Sequence, residues 1–293
     1  MRHLQKNEYQ NITQNLTTKQ VNEPHVEHAK LKVLVLADLH LDFLLNQGID
    51  PFEQVPSKQL QGVTHLFLVG DLSNKGHKQW KRCLPWVIER MPNAKVYVCP
   101  GNHDYYSGKI DREDKLRDVA ISCGVEFLQK SELIIAGHRV LFYTLWSDFE
   151  IYGDRADNMR IAHAGMHDYC HITVEKTGFK RLTPSQTVQI HVDHCGWLED
   201  KLSDGFEGKT TVITHHAPHR KALEAETELG PCYASDMDEI ILRYQPARWL
   251  YGHTHTAKSI MVGATEVRNV SVCYPGEGDP INELDRYILD LDR

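Results

Sequence analysis

The sequence predicts an α/β fold, and three observations support this prediction. The chain has 293 residues, enough to bury a large core in one domain or in two small ones. From about residue 31, short apolar runs rich in β-branched residues alternate with longer amphipathic stretches. Hydrophobic residues make up 41% and charged residues 25% of the chain, close to globular averages. We expect a single folded domain over residues 30–293.

Residues 1–29 differ in character from the rest of the chain. They are polar, rich in Gln, Asn and Thr, and show no sustained apolar period, so we expect a flexible extension.

No run approaches the ~18 apolar residues of a membrane span, and no secretory signal pattern is visible. The seven cysteines form no C-x-x-C pair, which suits reduced thiols and predicts a cytoplasmic protein.

The net charge of the chain bears on its partners. A formal charge of −7 argues against a chain-wide electrostatic footprint for nucleic acid, so we expect no stable nucleic-acid partner. An acidic protein that handles phosphate must neutralise it locally, and bound cations would do so. The oligomeric state does not follow from the sequence.

Apolar runs of strand length recur along the chain. Because they are short and bounded by turn residues, we predict β-strands at each of them. The last three resemble antiparallel strands. The predicted strands are Leu31–Ala37, His65–Val69, Lys95–Cys99, Arg139–Leu145, Thr210–Thr214, Arg248–Tyr251, Ser259–Val262, Glu266–Val272 and Tyr287–Leu291.

Three segments are predicted to be helices. The first has one apolar face formed by Trp80, Leu84, Val87 and Met91, and Pro85 must kink it or make it begin late. The second begins at the N-cap Thr183, with Pro184 at its first position and Gln186 completing a capping box. Its predicted buried stripe is Val188, Val192, Cys195, Leu198 and Leu202. The third follows a predicted N-cap at Ser235 and contains Ile240, Ile241 and Tyr244.

Residues 148–182 fit neither the helical nor the strand period well. A segment of this length without clear secondary structure is usually functional or mobile, so we predict a cap-like insertion. His163, His167 and His171 stand four apart and could hold a third metal ion on one helical face. Gly165 and the lack of periodicity favour a capping or surface role for them instead.

Five polar clusters each follow directly after a predicted strand. In open α/β sheets ligands collect at the carboxyl ends of strands, so clusters far apart in sequence can meet at one edge. Residues two apart on an extended chain point the same way, which would aim both members of each D-x-H or H-x-H pair into one site. The clusters are Asp38-Leu39-His40, Gly70-Asp71, Gly101-Asn102-His103-Asp104, His215-His216 and Gly252-His253-Thr254-His255.

The residue types in these clusters predict a metal centre. Imidazole nitrogens with carboxylate or amide oxygens, and without thiolate, suit Mn, Fe, Zn, Ni or Co. Two such ions bridged by a carboxylate can hold a hydroxide and clamp phosphoryl oxygens. The bridging carboxylate would be Asp71. The sequence therefore predicts a site for two divalent ions, and Mn is the ion we favour.

In this order, D-x-H, G-D, G-N-H-D, H and G-H-x-H resemble the motifs of the calcineurin-like metallophosphoesterase superfamily, from Asp38 to His255. The resemblance implies a four-layer αββα sandwich of two mixed sheets flanked by helices. It also implies a phosphohydrolase in which a metal-bridging hydroxide attacks a phosphomonoester or phosphodiester. By the same resemblance, one ion is held by Asp38, His40, Asp71 and His255, and the other by Asp71, Asn102, His215 and His253.

The resemblance also assigns roles around the metals. His103 would protonate the leaving oxygen or stabilise the transition state, and Asp104 would orient it. Only one of His215 and His216 can face the site if the strand stays extended. We favour His215 as the ligand and place His216 behind it or against the substrate.

The chain differs from some named branches of this superfamily, and these differences narrow the predicted class of enzyme. Ser/Thr protein phosphatases carry Asp and Arg after the second motif and an Arg after G-N-H, whereas residues 70–76 and 103–106 lack them. The chain more closely resembles small bacterial phosphoesterases of unassigned substrate. Their insertion carries Met-Asn-Asp-Tyr-Arg where this chain has Met166-His167-Asp168-Tyr169-Cys170. With that arginine absent, Arg155, Arg160 and Lys180 are the candidate phosphate contacts.

We therefore expect a small-molecule phosphate ester or nucleotide as substrate. A non-catalytic binding or scaffold protein on the same fold is one alternative, but every predicted ligand and His103 are present, which favours an enzyme. The other alternative is a DNA or RNA phosphodiesterase, which a steep salt dependence of oligonucleotide affinity would support.

Overall fold

The computed structural model describes residues 21–22, 31–277, 281 and 284–291. In this part of the chain two large mixed β-sheets pack face to face, with helices on their outer faces. No described helix has both the length and the apolar character needed to cross a membrane.

The smaller sheet has five strands in the order β14-β2-β3-β4-β5. Strands β2 to β5 run parallel, and β14 pairs antiparallel with β2. The strands β2 and β3 are buried throughout, as expected for parallel strands covered on both faces. Their bounds are β2 Val33–Leu36, β3 His65–Val69, β4 Lys95–Cys99, β5 Glu126–Phe127 and β14 Ile288–Leu289.

The larger sheet has seven strands in the order β1-β6-β7-β10-β11-β13-β12. Its central strands β7, β10, β11 and β13 are parallel, whereas β6 and β12 pair antiparallel with their neighbours. The bounds are β1 Val21–Asn22, β6 Ser131–Ile135, β7 His138–Tyr143, β10 Thr210–Thr214, β11 Arg248–Tyr251, β12 Ser259–Val262 and β13 Thr265–Asn269.

Strand β1 belongs to the predicted N-terminal extension. It pairs parallel with β6, so at least Val21–Asn22 join the larger sheet. The rest of that extension, residues 1–20 and 23–29, lies outside the described residues.

Helices cover both outer faces of the sandwich. Their bounds are α1 Leu41–Asn46, α2 Ser57–Gln61, α3 Gly76–Arg90, α4 Glu113–Ser122, α5 Arg155–Gly165, α6 Asp168–His171, α7 Pro184–Ser203, α8 Gly230–Tyr233 and α9 Asp238–Tyr244. Trp80 of α3 and Leu116 of α4 belong to the core of the smaller sheet. Leu198 of α7 and Ile241 of α9 pack in a second core with Trp249 of the larger sheet. The four-layer αββα prediction is confirmed.

The two sheets meet through an apolar interior. The rings of Phe67 on β3 and Phe142 on β7 lie edge to face with centroids 4.9 Å apart. A parallel bridge between Ala37 and Ser271 also joins the chain just beyond β2 to the chain beyond β13. These contacts hold the carboxyl ends of the two parallel strand sets side by side.

All nine predicted strands are present, with ends that differ by a few residues. The predictions did not include β5, β6 or the short hairpin of β8 (Thr173–Val174) and β9 (Lys180–Arg181). Strand β6 has a mixed burial pattern because it lies near the sheet edge, between β7 and the two-residue β1. Its first two residues, Ser131 and Glu132, are polar, which leaves an apolar run too short for a periodicity analysis to detect.

Several helix details were wrong. Helix α3 begins at Gly76 and continues through Pro85 to Arg90, so the proline does not delay it. Val192 is 57% exposed and does not belong to the buried stripe of α7. Ser235 does not cap α9, which begins at Asp238. Its hydroxyl instead accepts a hydrogen bond from the backbone of Asp148 and contacts the carbonyl of Trp146, which ties the insertion to the domain.

The insertion at residues 148–182 contains helices α5 and α6 and the β8–β9 hairpin, contrary to the expectation of little regular structure. Of the residues in α5, Ala162 is buried, which leaves no apolar stripe to detect. The Asp154 side chain caps α5 by accepting from the backbone N–H groups of Ala156 and Asp157. His163 lies in α5, whereas His167 precedes α6, so the three histidines do not share one helical face.

Candidate active site

The five polar clusters converge at the carboxyl ends of the parallel strands. Three follow β2, β3 and β4 of the smaller sheet, and two follow β10 and β11 of the larger sheet. The side chains come together in overlapping groups whose potential ligand atoms lie within 4.8 Å of one another. The groups are Asp38, His40 and His255; Asp71, His215 and His253; and His40, Asp71 and His103.

The backbone at these positions turns sharply and is not extended. Asp38, His40, Asp71, His253 and His255 all have positive φ, between 41° and 63°. The expectation that paired residues point the same way along an extended chain was therefore wrong. Left-handed turns aim the side chains instead. Each such conformation in a non-glycine residue costs on the order of 1–3 kcal/mol, and this kind of strain is concentrated at functional sites.

Glycines allow the loops to approach this closely. Gly70 has φ +95°, and a Cβ added there would lie 2.1 Å from Nδ1 of His215. A Cβ on Gly101 would lie 2.2 Å from Oδ1 of Asp71. Any side chain at either position would displace one of the candidate ligands.

The first candidate ligand group joins the two sheets. Nε2 of His255 lies 3.2 Å from Nε2 of His40 and 3.4 Å from Oδ1 of Asp38. The other oxygen of Asp38 accepts from the backbone N–H of His253 at 2.8 Å and from the hydroxyl of Ser271 at 2.6 Å. Those two bonds fix the carboxylate so that Oδ1 faces the histidines.

The second candidate ligand group lies on the other side of Asp71. Nε2 of His215 is 3.0 Å from Oδ1 of Asn102 and 3.4 Å from Oδ2 of Asp71. Nε2 of His253 is buried and has no hydrogen-bond partner among the described residues. A buried imidazole nitrogen that lacks a hydrogen-bond partner destabilises the folded protein unless a bound ligand interacts with it.

Three of the histidines are arranged as metal ligands usually are. In each, Nδ1 is held by a neighbour while Nε2 faces the other candidate ligands. The pairs are His40 with the Tyr274 hydroxyl at 3.0 Å, His255 with Oε2 of Glu277 at 2.7 Å, and His215 with the carbonyl of Val69 at 3.2 Å. These residues therefore fit a divalent cation by donor type, spacing and orientation.

The electrostatics of the site are consistent with cation binding. Burial disfavours the charged form of His215, but the neighbouring Asp71 carboxylate outweighs it and raises the pKa to about 9. In His255, burial is likewise outweighed by Asp38 and Glu277, which raise the pKa to about 9. The carboxylates thus attract positive charge strongly, and a bound metal ion would replace those protons.

His103 lies beside the ligand groups at the start of a short 3₁₀ turn. Its Nδ1 is 3.0 Å from Oδ1 of Asn74, and its Nε2 is 3.8 Å from Oδ2 of Asp71. The ring of Tyr106 stacks on it with centroids 4.4 Å apart. The Asn74 oxygen accepts a hydrogen bond from Nδ1–H, which leaves Nε2 as the nitrogen directed toward the site.

Asp104 does not orient His103, contrary to the sequence-based expectation. Its carboxylate is buried and accepts hydrogen bonds from the backbone of Asp71, Ser73 and Gly101 and from the indole of Trp80. It therefore fixes the loops that carry Asp71 and Asn102. Burial, reinforced by the charge of Asp71, raises the pKa of Asp104 to about 7.

His215 and His216 lie in different environments. His215 belongs to the second ligand group, whereas His216 is 1% exposed and packs behind His253 with ring centroids 4.2 Å apart. Nδ1 of His216 is 3.3 Å from the carbonyl of Thr144. His216 is not among the described residues that line the cavity over the site, so the structure does not support the predicted direct contact with substrate.

Residues 31–257 match the family model of calcineurin-like phosphoesterases. The chain belongs to this family. An uncharacterized protein of Acanthamoeba polyphaga mimivirus is 22% identical over 286 residues, which cover 87% of this chain and 97% of the viral protein. The crystal structure of phosphopantetheinyl hydrolase from Mycobacterium tuberculosis has a TM-score of 0.64 at 18% identity, covering 85% of this chain and 92% of the hydrolase. This likeness shows the shared fold, and the family makes the protein a phosphoester hydrolase.

The calcineurin-like phosphoesterase domain has a cavity of about 660 Å³ over the ligand groups. The insertion and the loop before α8 form its outer wall. The described lining residues are Asp71, Asn102, His103, Tyr106, Gly165, Met166, His167, Leu229, Tyr233, His253, Thr254, His255 and Glu277.

The candidate arginines do not reach this cavity. Arg155 pairs with Glu150 and donates to the carbonyl of Asp148, and exposed Arg160 pairs with Asp157 at 3.3 Å. Lys180 lies exposed on β9. None of the three is among the described lining residues, and each arginine is engaged by an acidic neighbour on the surface, so the structure does not support their predicted role in binding phosphate.

Four side chains around the site were not identified from the sequence. Ser271, Tyr274 and Glu277 hold Asp38, His40 and His255, and Asp168 holds Asn102. Ser271, Tyr274 and Glu277 belong to none of the motifs that predicted the ligands, and each lies at least 22 positions from its partner. The tetrad Met166-His167-Asp168-Tyr169 pointed to the right segment, but nothing in its spacing indicated a contact with Asn102.

Proposed function

We propose that this phosphoester hydrolase binds two divalent metal ions and cleaves a small phosphomonoester or phosphodiester. The observation that carries the proposal is the convergence of the candidate ligand groups around Asp71. One of these groups contains a buried His253 Nε2 that has no hydrogen-bond partner among the described residues. When bound, two such ions supply a nucleophile from water and offset the charge of the phosphoryl oxygens. Mn²⁺ is the ion we favour for activity.

His103 is proposed to give a proton to the leaving oxygen. Since Asn74 accepts from Nδ1, the proton to be donated is on Nε2, which makes the active form the imidazolium. A substrate bound with its leaving oxygen toward His103 would place its organic group against Tyr106 and the insertion.

The cavity favours a small ester with an uncharged organic group. Beyond the ligand groups its wall is formed by Tyr106, Met166, Leu229 and Tyr233, with Thr254 and Glu277 at one side. No lysine or arginine occurs among its described lining residues, so apart from the imidazole of His167 a second phosphate would have no partner there that can be cationic. This argues against nucleoside di- and triphosphates within the nucleotide class.

The test is hydrolysis by the purified protein with added Mn²⁺. We expect turnover of p-nitrophenyl phosphate or its bis ester, and loss of that turnover in Asp71→Ala. Arg160→Ala, which removes an exposed side chain of the insertion, should keep wild-type activity. Because the crystal structure of phosphopantetheinyl hydrolase shares the fold, a phosphopantetheine ester belongs in the substrate panel beside nucleoside monophosphates.

Two outcomes would redirect the proposal. Less than one metal ion per chain at saturating Mn²⁺, with no ester cut, would support a binding or scaffold protein instead. Tight oligonucleotide binding with a steep salt dependence would support a DNA or RNA phosphodiesterase, although the formal charge of −7 disfavours it.

We also propose a cytoplasmic location, based on the cysteine pattern.

A further inference from the structure

The insertion directs one buried carboxylate at the loop that carries Asn102 and His103. Asp168 stands at the start of α6 and is 3% exposed. Its Oδ1 accepts hydrogen bonds from Nδ2 of Asn102 and from the hydroxyl of Tyr106, each at 2.8 Å. A single oxygen therefore contacts the residues on both sides of the His103 loop.

The bond to Asn102 decides which end of the amide faces the metal site. With Nδ2 held by Asp168, Oδ1 points toward Nε2 of His215 at 3.0 Å. A flipped amide would set its oxygen against the carboxylate and turn two N–H groups toward the cation. Only the observed orientation presents a metal-binding atom.

The hydrogen bond between Asp168 and Tyr106 also affects His103, because the Tyr106 ring packs on the His103 ring. The two rings are nearly parallel, at 24°, with centroids 4.4 Å apart. Since Asp168 holds the Tyr106 hydroxyl, it fixes the surface against which His103 rests. Asn102 and His103 are thus both held in position from the insertion.

Asp168 is itself anchored to the domain. The backbone N–H of Ser107 donates to the carbonyl of His171 at 2.8 Å, and that of Ile110 to the carbonyl of Thr173 at 3.0 Å. These two bonds fix the segment that follows Asp168.

We infer that Asp168 is a positioning residue that sets the Asn102 amide for metal binding and links the insertion to the catalytic loop. The inference rests on the proposed two-metal function. It assigns the insertion a part in building the metal site as well as in enclosing the cavity.

The test is Mn²⁺ affinity, measured by calorimetry on the full chain in the absence of substrate. Asp168→Ala removes the acceptor, and we expect a 10–100-fold weaker affinity at one of the two sites, as is typical when a ligand loses its orienting partner. Asp168→Asn keeps an oxygen acceptor and should recover most of the affinity. Tyr169→Phe is the matched control, because it removes a buried hydrogen bond from the next residue of α6 without touching Asn102.

Other results would overturn the inference. If Asp168→Ala binds both ions as the wild type does, or if Tyr169→Phe weakens binding as much, Asp168 does not orient Asn102. Failure of the wild type to bind any Mn²⁺ would overturn the proposed function as well. Wild-type binding and turnover with an unaffected Asp168→Ala would overturn the inference alone.

Discussion

At the scale of single residues, His103 is the side chain whose role the geometry constrains most. One nitrogen contacts Asn74, and the other faces Asp71 without approaching closer than 3.8 Å. His103 also forms a candidate ligand group with His40 and Asp71, so a role as metal ligand is the alternative to a role as acid. The two roles predict different behaviour of metal affinity.

His103→Ala should lower kcat by about 10²–10⁴-fold, the usual contribution of a general acid. The loss should be greater for alkyl esters than for p-nitrophenyl esters, because p-nitrophenolate leaves without a proton. Mn²⁺ affinity should be unchanged. His171→Ala is a control, since His171 is exposed and its ring lies 5.2 Å from Tyr106. Loss of one ion in His103→Ala would identify His103 as a ligand.

The residues that form the two ligand groups could be predicted because each follows a strand within a short motif. The residues that orient these candidate ligands through hydrogen bonds could not be predicted in the same way. Tyr274 contacts His40 across 234 positions of sequence, and Asp168 contacts Asn102 across 66. Such contacts depend on how the loops pack, and no local spacing records them.

At the scale of elements, α7 buries a titratable group away from the active site. His194 on this helix is 3% exposed, and its ring packs edge-on against Tyr143 with centroids 5.7 Å apart. Burial lowers the pKa of His194 to about 3, with a further contribution from Lys130. The folded state therefore resists a proton that the unfolded chain accepts near pH 6.5.

The direction in which stability changes with pH follows from the lowered pKa of His194. Because the folded pKa is depressed, the stability due to neutral His194 is present above about pH 6.5 and is lost as the pH falls toward about 3. The unfolding free energy falls by up to about 1.4 kcal/mol per pH unit over this range. We expect His194→Gln to reduce the slope of unfolding free energy between pH 6.5 and 5, measured by urea denaturation in EDTA. His138, whose pKa burial lowers to about 4, should preserve part of the slope.

The control for this experiment is His163→Gln, which changes an exposed histidine of α5. It should leave the slope unaltered. An equal slope in wild type and His194→Gln would contradict the assignment of that stability to the buried ring.

The elements themselves were predictable to different degrees. Buried parallel strands such as β3 and β10 are continuous apolar runs, and α7 begins with a capping box in which Gln186 accepts from the backbone of Thr183. Helix α5 lacks an apolar stripe, because it lies on the surface of the insertion. Its N-cap Asp154 was the one local signal that could have revealed it.

At the scale of the whole molecule, the candidate metal site joins the two sheets. Asp38, Asp71 and Asn102 follow strands of the smaller sheet, whereas His215 and His253 follow strands of the larger sheet. Ions bound there would link the two halves of the sandwich in the folded state alone. Metal binding should therefore stabilise the entire domain.

We expect Mn²⁺ at 100 times its Kd to raise the unfolding free energy by about 2.7 kcal/mol for one site. Differential scanning calorimetry with Mn²⁺ or EDTA would measure this as a shift in Tm. Asp71→Ala should lose most of the shift, because Asp71 belongs to two of the ligand groups. Asp118→Ala, which removes an exposed carboxylate of α4, should keep it. A shift equal in all three proteins would indicate that Mn²⁺ binds elsewhere.

The most direct test of the two-metal account is an anomalous-scattering map of crystals loaded with Mn²⁺. We predict two peaks, one among Asp38, His40 and His255 and the other among Asn102, His215 and His253, with Asp71 between them. A single peak, or a peak bound by His103 in place of Asn102, would contradict the account.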